Sequence, residues 1–94
     1  MSPTPIEHLV AAAVAVLREE GAKEVYLFGS GATGAWRPGS DIDIAVRGLP
    51  GRRYYRAVGR LLEALRTPVD LVPLESDTPL VRSIRASGSL RRVG

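Results

Sequence analysis

Ninety-four residues, 45% hydrophobic and 24% charged, suit one small globular domain and exclude a disordered chain. The absence of cysteine excludes disulfides, thiolate nucleophiles and Cys-ligated zinc, and the single histidine, His8, excludes histidine-rich metal centres. The net charge of +3 is uneven: residues 1–45 carry −3 and residues 46–94 carry +6, a balance that either attracts phosphates or solvates an arginine surface.

Thr4, Pro5, Ile6 and Glu7 read as a helix start, with Thr4 as the N-cap, Pro5 at the first helical position and Glu7 reaching back. Ile6, Leu9, Val10, Ala13 and Leu17 recur at helical spacing, and Gly21 supplies a left-handed stop. Residues 9–17 contain nothing charged or polar. Such a helix is either buried on more than one side, with Ala11, Ala15 and Val16 against another protein, or simply alanine-rich. Residues 25–28 read as a buried strand ending at Gly29 and Ser30, and residues 41–47 as a second strand. Over residues 52–66 the spacing predicts a helix, with Tyr54, Val58, Leu61 and Leu65 on one face and Arg52, Arg56 and Glu63 opposite. Residues 68–74 form a third strand. Thr78 and Pro79 open a last short helix that Gly88 closes, and residues 89–93 are a candidate edge strand.

This order predicts an α+β, two-layer fold: a small mixed sheet with helices packed on one face and the other face largely open. No repeat or linker interrupts the chain, so residues 1–94 are expected to form one domain. No apolar run reaches the ~18–20 residues of a membrane helix, and no leader is legible, so a cytoplasmic location is expected.

In Asp41-Ile42-Asp43-Ile44, strand alternation sends both aspartates to one side and both isoleucines to the core. Carboxylates so close repel unless a cation lies between them or one is protonated. Hard oxygen donors of this kind suit Mg²⁺ or Mn²⁺. Asp70 stands inside the apolar run Val69-Asp70-Leu71-Val72, where a carboxylate is costly without a partner. If its strand lies beside that of Asp43, three carboxylates converge; singly, each is an ordinary strand aspartate. The segment Phe28-Gly29-Ser30-Gly31-Ala32-Thr33-Gly34 offers backbone N–H groups and the Ser30 hydroxyl to a phosphate, or serves as a plain tight turn. It is neither a Walker loop nor a dinucleotide-binding glycine motif. Ten residues separate Ser30 from Asp41, room for one helical turn and a return that would set cradle and carboxylates around one triphosphate.

Gly29-Ser30, ten residues, Asp41-x-Asp43 and a later strand-borne Asp70 together resemble the signature of the nucleotidyltransferase superfamily that includes DNA polymerase beta. The stretches Leu27-Phe28-Gly29-Ser30-x-Ala32-x-Gly34 and Arg37-Pro38-x-Ser40-Asp41-Ile42-Asp43 look like the minimal nucleotidyltransferases, including the MntA-type antitoxins of HEPN/MNT pairs, and the similarity covers nearly the whole chain. This resemblance implies a polymerase beta palm-like fold, with Asp41, Asp43 and Asp70 as metal-binding catalytic carboxylates. It implies Gly29 and Ser30 on the β- and γ-phosphates, and Ser40 either touching the nucleotide or capping its turn. Mg²⁺, or Mn²⁺, would be the cofactor and ATP the substrate.

The implied partner and acceptor is a HEPN-type helical protein carrying the hydroxyl that receives AMP. Neither a nucleic-acid substrate nor a membrane is implied, and a homo-oligomer stays open. A chain that no longer catalyses and neutralises its partner by occlusion is the alternative; transfer to a small-molecule hydroxyl ranks third. Gly31 stands where many relatives carry arginine or another large residue, and Thr33 replaces a frequent arginine, so the resemblance does not imply an extra phosphate or base contact from those positions. Trp36 either anchors the short helix or stacks on a base. The apolar first helix and the Arg52 and Arg56 face are candidate contact surfaces.

Overall fold

Residues 5–94 are described by the computed structural model, and the N-cap expected at Thr4 lies outside them. The first helix, α1 (Pro5–Glu19), turns Ala13, Val16 and Leu17 inward, because positions three and four apart share a helix face. Ala11 and Ala15 are exposed as expected, but Val16 belongs to the core rather than to an outer surface. Gly21 takes φ 106, ending the helix. The chain continues through β1 (Glu24–Phe28), α2 (Ser30–Thr33), β2 (Ile42–Arg47), α3 (Tyr54–Leu65), β3 (Val69–Pro73), α4 (Pro79–Ser87) and β4 (Arg91–Arg92). A 3-10 turn over Gly51–Arg53 leads into α3, so the helix expected from residue 52 begins as a tighter coil. Among the described residues no helix is long and apolar enough to cross a membrane.

The sheet order is β3-β2-β1-β4. β1 runs antiparallel to both β2 and β4, whereas β2 and β3 are parallel, which makes the sheet mixed. A parallel pair cannot be joined by a tight hairpin and needs a crossover, which α3 supplies. Alternate strand residues face the layer of α1 and α3: Val25, Leu27, Ile42, Ile44, Val46 and Leu71 pack with Leu17, Ala57, Leu61 and Leu65.

The other residues of the same strands face the opposite way, and there the expectation of a largely open face needs refinement. Phe28 and Ala45 pack with Leu74, Val81 and Ile84, so α4 covers part of that face. The helix has the ends its sequence suggests: the Thr78 side chain accepts from the Val81 N–H at 3.2 Å, Pro79 occupies the first turn, and Gly88 adopts φ 65. On the same sheet face Asp43 is half-buried and Asp70 exposed.

Two features of α3 lie outside the sequence reading. Glu20, just past α1, is almost wholly buried and accepts from Arg60 Nη1 at 2.8 Å, with Arg56 Nε at 3.3 Å. Arg60 also holds Glu19 at 2.6 Å, so the cluster ties α1 to α3. The Arg60 hydrogen bond, aided by the charges of Arg56, Arg60 and Arg53 and opposed by burial, holds the Glu20 carboxyl below its usual range. Its stabilising contribution is complete above the ordinary glutamate pKa and disappears as pH falls through the depressed one. Arg56 therefore belongs partly to this internal cluster. At the other end of α3, Arg66 caps the helix with φ 53, the single non-glycine positive φ among the described residues. Arg66→Gly is expected to raise the unfolding free energy by about 0.5–1 kcal/mol, read by urea denaturation, because glycine adopts this conformation without a Cβ clash.

Candidate active site

β1 ends at Phe28, and the next residue makes a turn that only glycine can make. Gly29 has φ 63 and ψ −143, and a Cβ on it would fall on Asp43 Oδ2. Backbone and carboxylate thus meet without a side chain between them. α2 follows at once, opening with Ser30, whose carbonyl accepts from the Ala35 N–H at 3.0 Å and from Thr33 Oγ1 at 3.3 Å. Ala32 N–H is already taken by the Gly29 carbonyl at 3.1 Å, so the N–H groups this short turn can offer an anion are those of Ser30 and Gly31. Gly31 is buried beside Ile6 and Leu27.

The return loop is held by Trp36. Its ring packs against the main core, and its indole N–H donates to the Ser40 carbonyl at 3.2 Å. Ser40 N–H donates in turn to the Arg37 carbonyl at 2.9 Å, closing the turn that delivers Asp41. Trp36 thus takes the anchoring place. Trp36→Phe, which keeps one aromatic ring but removes the donor and part of the packed indole, is expected to lower the unfolding free energy by about 1–2 kcal/mol, measured by denaturation.

Asp41 is exposed immediately before β2, and Ile42 N–H then bonds the Pro68 carbonyl at 2.9 Å, starting the parallel ladder. In the register that results, Asp43 stands between Phe28 of β1 and Asp70 of β3. The convergence of strand carboxylates expected from sequence depends on this β2–β3 adjacency. Burial first, then the hydrogen bond with Asp70 and the negative charges of Asp70 and Asp41, push the Asp43 carboxyl up to about 6. Among the described residues, however, no three His, Cys, Asp or Glu side chains are gathered into a metal-binding group. Asp43 and Asp70 pair closely while Asp41 stands on the exposed approach.

This donor set fits a hard divalent cation such as Mg²⁺ or Mn²⁺: it consists of oxygen ligands, and its crowded charge is of the kind a cation relieves. The site is an open shelf. A groove of about 680 Å³ lies elsewhere, between α1, α2 and β4, beside Val10, Trp36 and Arg91, and no aspartate lines it.

A mixed four-stranded sheet with a glycine-serine turn against paired strand aspartates has the architecture of a nucleotidyltransferase. A family model described as a nucleotidyltransferase domain matches residues 12–92, and the chain belongs to that family. No curated protein matches it in sequence. Among solved structures, it is similar to a chain of a toxin–antitoxin with AMP-PNP, at 28% identity and TM-score 0.72 over 88% of this chain and 70% of that one. It is also similar to a chain of the complex of tri-AMPylated Shewanella oneidensis HEPN toxin with MNT antitoxin, at 25% identity and TM-score 0.67 over 92% of this chain and 69% of that one. A minimal nucleotidyltransferase, 24% identical, shares the fold at TM-score 0.73 over all of this chain and 96% of its own.

Proposed function

We propose that this chain is a cytoplasmic antitoxin that transfers AMP from ATP to a hydroxyl of a HEPN-type helical protein and so neutralises it. The observation that carries this reading is the register that sets Asp43 against Asp70 beside Gly29. The similarity to chains from complexes with AMP-PNP and with an AMPylated HEPN toxin supports the choice of nucleotide and partner.

In this account Gly29 and Ser30 hold the β- and γ-phosphates through backbone N–H groups and the Ser30 hydroxyl. Asp41, Asp43 and Asp70 would hold the divalent cation, which supplies positive charge to the phosphate oxygens when bound. Ser40 lies in the turn that delivers Asp41, and its hydroxyl would contact the nucleotide there. Asp70 orients the acceptor hydroxyl and receives its proton. The acceptor oxygen forms a bond to the α-phosphorus, the α–β phosphoanhydride bond breaks, and pyrophosphate leaves in line.

The test is co-expression of the HEPN partner with wild-type chain and with Asp41→Asn, followed by intact mass measurement of the partner. The expected result is a partner heavier by whole AMP units with the wild type and unmodified with the variant. A partner bound tightly yet unmodified in both would replace this reading by neutralisation through occlusion.

A further inference from the structure

The outer side of α3 carries a stripe that the fold does not use. Ala57, Leu61 and Leu65 face inward, whereas Tyr55 is 85% exposed and Leu62 44% exposed. Gly59 lies between them, and positions 55, 59, 62 and 66 fall along one line of the helix. The Tyr55 ring is not loose. It meets the Tyr54 ring edge-on at 5.3 Å and 85°, and Tyr54 is fixed by its hydroxyl donating to the Leu71 carbonyl at 2.7 Å.

Gly59 has no internal explanation. It is exposed, its φ is not positive, and a Cβ there would meet nothing within 4 Å. Glycine weakens a helix interior, and what it offers in exchange is close approach by another backbone. An apolar side chain on either side of a glycine leaves a shallow seat for a helix, with Tyr55 and Leu62 as anchors.

Charge selects the occupant. Arg52 is exposed on the same outer side, Arg56 remains 75% exposed beyond its contact with Glu20, and Arg66 closes the stripe. A second copy docked through a two-fold axis at Gly59 would set Arg52 against Arg66 of that copy at both ends, a like-charge arrangement. A different protein with acidic flanks meets three arginines, Arg52, Arg56 and Arg66, against the single exposed carboxylate Glu63 beside them, so the net attraction favours it.

We propose that Tyr55, Gly59 and Leu62 form the docking surface for a helix of the protein partner, apolar along its contact line and acidic along its flanks; this rests on the reading of a HEPN-type partner given above. Binding of the purified HEPN partner to wild type, Gly59→Gln and Leu62→Glu, measured by calorimetry alongside thermal melting of each chain, tests it. The expected result is a loss of affinity of about tenfold or more in both variants, with Gly59→Gln melting no lower than wild type. Variants that bind like wild type overturn the docking surface and leave the proposed activity standing. Failure of the wild type itself to bind removes both. A wild-type dimer in sedimentation that Gly59→Gln dissolves would overturn the proposal by assigning the stripe to a second copy.

Discussion

Asp43→Asn is expected to slow nucleotidyl transfer by roughly 10²–10⁴-fold while stabilising the metal-free protein. The rate loss follows from removing a carboxylate that would hold the cation and is packed against Gly29. The gain in stability follows from the same crowding. Folding raises the Asp43 pKa from 3.8 to about 6, so the folded state favours the protonated form. Its favourable contribution is therefore complete below the unfolded pKa, declines as pH rises from about 4 to about 6, and is gone above that. At pH 7.5 the ionised group is a penalty that asparagine does not carry. The shift corresponds to about 3 kcal/mol before screening, and for a carboxyl only partly buried about 1 kcal/mol is expected to remain. Urea denaturation at pH 5 and pH 7.5 in a chelator reads this, with the advantage of Asp43→Asn growing toward the higher pH. Added Mg²⁺ should stabilise wild type and leave the variant unmoved. A metal-free variant less stable than wild type at pH 7.5 would contradict the crowding of these carboxylates.

Gly29→Ala is expected to lower stability by about 2–4 kcal/mol and to abolish ATP binding. Two costs add at this position: a backbone conformation that L-residues avoid, and a Cβ placed on Asp43 Oδ2. Gly34→Ala separates them. Gly34 also has a positive φ, 82, but a Cβ there meets nothing within 4 Å. Its expected cost is about 1 kcal/mol, from conformation alone. Equal destabilisation by the two variants, compared by thermal denaturation, would show that the approach of Gly29 to Asp43 constrains nothing.

The local pattern of the chain was sufficient for the helices and strands around these residues. Helical spacing through Leu17 and Leu61, alternation through Ile42 and Ile44, and the Thr78, Pro79 and Gly88 signals all reappear in the structure. Strand adjacency was not legible in the same way. Asp70 becomes a neighbour of Asp43 only because α3 crosses over to make β3 parallel to β2, and no residue pattern states which strands pair. α4 shows an apolar face in sequence but not which sheet face it covers; Phe28 and Ala45 decide that. Glu20 was invisible for a related reason. An acidic residue at a helix end reads as solvent-facing, and its burial depends on Arg60, forty residues further along the chain.

Transfer of label from ATP to the HEPN partner, with the α-phosphate labelled in one reaction and the γ-phosphate in the other, tests the central claim most directly. Wild type and Asp41→Asn are run side by side with Mg²⁺. The expected result is label on the partner from the α-position only, lost in the variant. Label from the γ-position would mean phosphoryl rather than nucleotidyl transfer, and a bound partner unlabelled from either position would leave a neutralising protein without this chemistry.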